Sequence, residues 1–281
     1  MYYKKIISQF IPPVITNIVR KKSKVVWKGV YLQWNDALVK TNSYSDEQII
    51  DKVTEAALKV LEGKYPYERD SVVFEKIQYN WPLFTCFGYV LKEERRPASV
   101  VDFGGSLGSI YISNRWFFDE NSIKQWIVVE QPNFVERGKQ LFGDKNMPVF
   151  FADGISEVRE MCKSKQSSVD VLLLSSVLQY LEDPYELLQQ YIDILSPTYI
   201  IIDRTSFSAS DAFVSTQYVN KQIVQSSYPC RFFEKEDFLD LFFTKRYEQI
   251  LEFNSFCDPQ HLRINYKEAN WQGFLFKHNQ I

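Results

Sequence analysis

The sequence predicts an α/β fold, with an open sheet of seven strands, six parallel and the seventh antiparallel, flanked by helices and preceded by a helical N-terminal cap. Two observations carry this. From residue 98 onward, short runs rich in Val, Ile, Leu and Phe alternate with helical stretches, and such near-continuous apolar runs suit strands buried on both faces of a parallel sheet. The first run closes on a glycine turn, "VVDFGGSLG" (100–108). In open α/β sheets that turn lies where ligands bind.

The elements follow in order. Residues 1–24 carry Lys4, Lys5, Arg20, Lys21, Lys22 and Lys24 and no acid, and their apolar character is broken by Ser8, Gln9 and Pro12-Pro13. A secretory signal needs an unbroken apolar centre, so secretion is not expected. Two readings stay open for this basic arm: peripheral contact with an anionic membrane face, at about 1 kcal/mol per nearby Lys or Arg, or an arm that is mobile or packed on the domain.

Residues 25–97 read as the helical cap. "SDEQIIDKVTEAALKVLEG" begins with Ser45 and Gln48 in capping-box spacing, aligns Ile49, Ile50, Val53, Ala57, Val60 and Leu61, and stops at Gly63. A second helix is expected within 71–91. Between them, Glu68, Arg69 and Asp70 read either as a solvated turn with a local ion pair or as one edge of a pocket, with Arg69 the partner of an anionic substrate group.

Residues 98–281 form the sheet domain. Strands are expected at 98–104, 125–131, 148–153, 169–176 and 198–203. Among the crossover helices, "DPYELLQQYIDIL" has Asp183 at the N-cap, Pro184 at the first helical position and Glu186 in capping-box spacing. An insertion without strong period spans 204–233, readable as a substrate lid or as a linker packed on the N-terminal helices. A helix at 234–243 and strands at 247–254 and 273–278 complete the domain. With no crossover helix before it, the last strand pairs antiparallel.

Composition narrows the function. A formal charge of −2 gives no global pull toward nucleic acid. Cys86, Cys162, Cys230 and Cys257 form no C-x-x-C pair, so no metal site or disulfide framework is expected and a reducing cytoplasm fits. No apolar run reaches 18 residues. The oligomeric state is not readable.

At the glycine turn, Gly104 and Gly105 allow a tight turn and a close backbone approach to a ligand, and Gly108 lets the next helix begin beside it. The second strand ends in Glu130, placed to accept hydrogen bonds from ribose hydroxyls, and the third in Asp153, placed to meet an adenine edge. Each acid could instead cap a turn or helix. Read together, they predict an adenosine site. A dinucleotide puts its pyrophosphate at the helix N-terminus, which disfavours a nearby acid. Asp102 and the G-G-x-x-G spacing therefore favour S-adenosylmethionine.

"VVDFGGSLG", Glu130, "FADG" and "VDVLLLSSVLQYLEDP", with the reversed seventh strand, resemble the class I S-adenosylmethionine-dependent methyltransferases, which have a Rossmann-like sheet, over residues 98–281. "WKGVY" (27–31), "YERDSVVF" (67–74) and "DFGGSLG" together resemble a family of methyltransferases associated with bacterial surface-polysaccharide gene clusters. The resemblance implies that Gly104, Gly105 and Ser106 line the methionine part of the cofactor with Asp102 near its ammonium. It also implies that Glu130 holds the ribose, that Gln131 or Pro132 flanks adenine, that Asp153 meets its amine, and that Ser175 and Ser176 border the sulfonium. Gln179 and Tyr180 occupy positions where the superfamily often has two histidines, next to the acceptor.

Methyl transfer from a sulfonium depends on alignment and water exclusion, and a hydroxyl acceptor also benefits from a base. His261, in the loop leaving the sixth strand, is the candidate base. Arg204 and Tyr218 of the insertion are expected at the acceptor, a small molecule or glycan. Two rivals stand beside this reading: an NAD-dependent oxidoreductase or epimerase, and a non-catalytic scaffold. The expected location is the cytoplasm, at the inner membrane face if the arm binds lipid.

Overall fold

A computed structural model describes residues 25–41, 46–118, 121–219 and 226–279. The basic arm 1–24, the Ser45 cap position, the Gln48 side chain and residues 220–225 of the insertion lie outside the described residues.

Five parallel strands set the frame: β4 (Ala98–Phe103), β5 (Ile123–Val129), β6 (Val149–Ala152), β7 (Val171–Ser175) and β8 (Tyr199–Ser208). With β11 (Tyr247–Asn254) and β13 (Lys267–His278) they order as β11-β13-β8-β7-β4-β5-β6, and the short β12 (Leu262–Ile264) pairs with β13. β13 is antiparallel to both its neighbours, so the six others share one direction. This is the expected sheet. Chain order reverses between β4 and β7, and the glycine turn leaves β4 at that switch point.

Period-two alternation divides the core into two layers. Val100, Trp126, Val128, Leu173 and Ile201 face one side. They pack on helices α2 (Asp46–Leu61), α3 (Trp81–Glu94), α4 (Ser109–Asn114) and α5 (Pro132–Phe142) through Val53, Ala57, Phe87, Val90, Tyr111 and Val135. Val101, Ile127, Leu172, Leu174 and Ile202 face the other. There α6 (Ile155–Ser164), α7 (Pro184–Leu195) and α8 (Lys235–Thr244) supply Val158, Leu188, Ile192, Phe238 and Phe242. Asp183 sits at the N-cap of α7 without a side-chain cap bond, and Ser196 ends that helix in a left-handed conformation.

The N-terminal segment departs from the helical expectation. "VWKGVY" forms β1 (Val26–Tyr31), followed by the short α1 (Trp34–Leu38), and residues 67–74 form a hairpin of β2 (Tyr67–Arg69) and β3 (Val72–Phe74). The second cap helix therefore starts at Trp81, after the hairpin. The insertion is also ordered by strands: β8 runs on to Ser208, and β9 (Phe213–Val219) pairs antiparallel with β10 (Ser226–Phe232) and with β1. β1 finds its partner far away in sequence, whereas β2–β3 and β9–β10 are local hairpins. Trp27 and Trp271, with ring centroids 5.0 Å apart, join this small sheet to β13.

Candidate functional site

A cavity of about 200 Å³ lies beyond the carboxyl ends of β4, β7 and β8. Asp102, Gly104, Gly105 and Ser106 line it from the glycine turn, and Ser175 and Ser176 from the end of β7. Gly104 adopts φ +71°, and a Cβ there would overlap Val177. A Cβ on Gly105 would overlap the Asp102 carboxylate beneath it. The turn thus has no room for side chains at either position. Gly108, at φ +75°, is the N-cap of α4, where a left-handed conformation favours glycine.

Asp102 is buried and accepts the Trp126 Nε1–H at 3.0 Å. Burial pushes its carboxyl up to about 7, opposed by the indole bond and reinforced by the charge of Glu130. Glu130 accepts the Ser106 amide at 3.0 Å and the Gln131 amide at 3.1 Å. The β5 tip and the glycine turn are thereby tied by one carboxylate. Burial also raises the Glu130 carboxyl, and the two amides work against that shift.

The rest of the cavity is assembled from distant segments: Tyr67, Glu68, Arg69, Asp70 and Ser71 of the hairpin, Asn80 and Leu83 at the start of α3, Asp203 and Arg204 of β8, and Phe256 and Cys257 after β11. Asn80 does two jobs, accepting the Leu83 amide as the α3 cap and donating its Nδ2–H to Asp203 Oδ2 at 3.1 Å. Ser175 Oγ donates to the same oxygen at 3.2 Å. Arg204 holds a left-handed φ of +54° and pairs with Asp70 Oδ2 at 2.9 Å and with Asp258 Oδ2 at 2.9 Å. A single guanidinium therefore clamps the hairpin and the β11–β12 loop to the end of the sheet. Glu68 is 2 % exposed and neither carboxylate oxygen has a hydrogen-bond partner. Burial, then the charge of Asp70, pushes its carboxyl up to about 7.

Of the expected site residues, the structure brings Asp102, Gly104, Gly105, Ser106, Ser175, Ser176, Arg69 and Arg204 to this cavity and leaves others elsewhere. Arg204, expected at the acceptor, does line the cavity, with its guanidinium engaged in the clamp. Gln179 is buried and donates to the Arg204 carbonyl at 3.1 Å, supporting the clamp from behind. Tyr180 donates to Gln217 Oε1 at 3.2 Å and packs edge-on against Tyr228. Tyr218 lies on β9, opposite Val26 of β1. None of these three lines the cavity. Asp153 and Pro132 line a separate groove along α5, and Gln131 is exposed at the N-cap of that helix.

His261 is the clearest correction. It is exposed and lines a second cleft with Ser208, Asp211, Lys235 and Asn270. The β11–β12 loop does reach the cavity, but with Phe256 and Cys257. The extended β8/β13 ladder, running to Ser208 and Ala269, places His261 at the second cleft instead. Sequence reasoning missed Asn80, Phe256, Cys257 and Asp258. Only Asn80 carried a signal, as an Asn before Trp81-Pro82 at a helix start.

Among the described residues, no cluster could hold a metal ion and no helix is long and apolar enough to cross a membrane.

No family model matches the chain, and no curated protein matches it. Solved structures with similar folds include an S-adenosylmethionine-dependent methyltransferase from Clostridium acetobutylicum, at 10 % identity and TM-score 0.45 over 82 % of this chain and 99 % of that one. The N-terminal domain of EvdMO1 with SAH bound aligns at 10 % identity and TM-score 0.48 over 82 % and 97 %. The Burkholderia thailandensis 1,6-didemethyltoxoflavin-N1-methyltransferase aligns at 12 % identity and TM-score 0.42 over 85 % and 92 %. At such values the likenesses carry no argument about chemistry, which rests on strand order and on the cavity.

Proposed function

We propose that the chain is an S-adenosylmethionine-dependent methyltransferase acting on a small-molecule or glycan acceptor. The observation that carries this reading is the glycine turn at the switch point, with Asp102 beneath it and Glu130 tied to its Ser106 amide, in a sheet whose β13 runs against the other strands. The cavity suits the methionine end of the cofactor. An unpartnered acceptor, Asn114 Oδ1, and an unpartnered donor, Arg69 Nη1, match an ammonium and a carboxylate.

When bound, S-adenosylmethionine supplies a methyl group made electrophilic by its sulfonium. Glu130, which already accepts the Ser106 and Gln131 amides, would offer its remaining lone pairs to the ribose hydroxyls. Gly104 and Gly105 let the backbone approach without a Cβ between, and Asp102 places negative potential under that approach. Ser175 and Ser176 border the reacting sulfur. Phe256 covers the mouth and excludes water, which favours an in-line displacement that neutralises charge.

A finer reading, methylation of a bacterial surface-polysaccharide precursor in the cytoplasm, draws its support from "WKGVY", "YERDSVVF" and "DFGGSLG". Of these motifs, the hairpin and the glycine turn line one cavity, whereas "WKGVY" forms β1 in the small sheet. Calorimetric titration with S-adenosylhomocysteine and with NAD tests the main reading: micromolar binding of the former and none of the latter is expected, and NAD binding alone would overturn it.

A further inference from the structure

The charge of the cavity does not balance with the cofactor alone. Glu68, Asp102 and Asp203 line it, each 2 % exposed or less. Asp102 and Asp203 meet neutral donors, the Trp126 indole for one and the Asn80 amide and Ser175 hydroxyl for the other. Both oxygens of Glu68 and Oδ1 of Asp203 have no partner. On the cationic side, Arg204 is taken up by Asp70 and Asp258. Arg69 also pairs with Asp70.

S-adenosylmethionine brings an ammonium, a sulfonium and a carboxylate, a net of one positive charge. With Arg69 and Arg204 balanced by Asp70 and Asp258, that single charge faces the three buried carboxyls. An unmatched buried carboxylate costs several kcal/mol, so a proton or a second ligand must supply the missing charge. A neutral polyol would satisfy the free oxygens without supplying charge, and an anionic acceptor would add to the imbalance.

We propose, resting on the methyltransferase reading, that the acceptor carries a cationic amine which binds against Glu68 and Asp203. Glu68 arrives on the β2–β3 hairpin and Asp203 on β8, so neither belongs to the glycine turn that receives the cofactor. The amine is the recognition handle. Its two carboxylates offer three free acceptor oxygens, the number of N–H donors on a primary ammonium.

The test is thermal unfolding in saturating S-adenosylhomocysteine with three matched pairs: ethanolamine against ethylene glycol, putrescine against 1,4-butanediol, and D-glucosamine against D-glucose. In at least one pair the amine should raise Tm by about 3 °C or more at ten times its Kd, and its partner should not. Glu68→Gln and Asp203→Asn should each abolish that difference, while stabilisation by S-adenosylhomocysteine shows that the variants are folded. No discrimination in any pair, or discrimination that survives both variants, would overturn the proposal. If S-adenosylhomocysteine does not stabilise the wild type, the methyltransferase reading falls, and this proposal with it.

Discussion

The cavity has two kinds of wall, and they are held in place differently. The glycine-turn wall sits on strand ends whose register is fixed by the parallel ladders, such as Asp102 opposite Val128 and Leu173, and its side-chain ties include Trp126 to Asp102 and Ser106 to Glu130. In the assembled wall, Asp203 sits in the β7–β8 ladder opposite Ser175, but the hairpin and the β11–β12 loop lie outside it. The hairpin, β8 turn and β11–β12 loop converge through Arg204, which reaches Asp70 across 134 residues of sequence and Asp258 across 54. Backbone geometry makes the first wall permanent, whereas the second depends on a few ion pairs. On the proposed reading, the first wall would receive the cofactor and the second the acceptor.

Breaking the clamp should have the largest effect. Arg204→Met leaves Asp258, which is 18 % exposed, without its counter-charge, and should cost about 3 kcal/mol in urea unfolding. The Asp70 side chain is 60 % exposed, so solvent screens its share. Asp258→Asn should therefore cost more than Asp70→Asn.

The next effect has the opposite sign. With its carboxyl raised from 4.5 to about 7, Glu68 holds a proton in the folded chain at pH values where the unfolded chain has released it. Its contribution to stability is fully present below pH 4.5 and is lost as pH rises through 7. Glu68→Gln should flatten that decline and stabilise the ligand-free protein at pH 8, by at most about 3 kcal/mol. Equal unfolding free energies for wild type and variant at pH 8 would show that Glu68 is not strained. A gain in stability with a loss of amine recognition would mark a residue kept for function.

The glycine wall responds to smaller changes. Gly105→Ala should cost about 1–3 kcal/mol, because the added Cβ overlaps the Asp102 carboxylate, and should weaken S-adenosylhomocysteine binding measured by calorimetry. Glu130→Ala should weaken the same binding about tenfold or more through lost ribose bonds and leave the assembled wall unchanged. His261→Ala should change stability by less than about 0.5 kcal/mol, and cofactor binding not at all.

What the sequence revealed follows the same division. The seven strands and the glycine turn were legible because parallel strands are apolar throughout and the turn needs glycine for steric reasons. Glu68, Asn80, Asp203 and Asp258 were hard to read as one site because no spacing rule links residues 68, 80, 203 and 258. β1 was hidden for a related reason. "VWKGVY" is short and only half-buried, and it pairs with a strand about two thirds of the chain away. Expecting His261 at the cavity followed the loop correctly and missed how far the β8/β13 ladder extends.

That last pairing bears on how the chain is made. Val26 meets Tyr218 and Lys28 meets Thr216, so β1 emerges from the ribosome well before its partner exists. At roughly 5–20 residues per second, the delay is about 10–40 s. During translation the five central strands can gather while the N-terminal strand waits with an unpaired edge, open to chaperones or to a neighbouring nascent chain. The cap strand is thus synthesised well before the strand that completes its pairing.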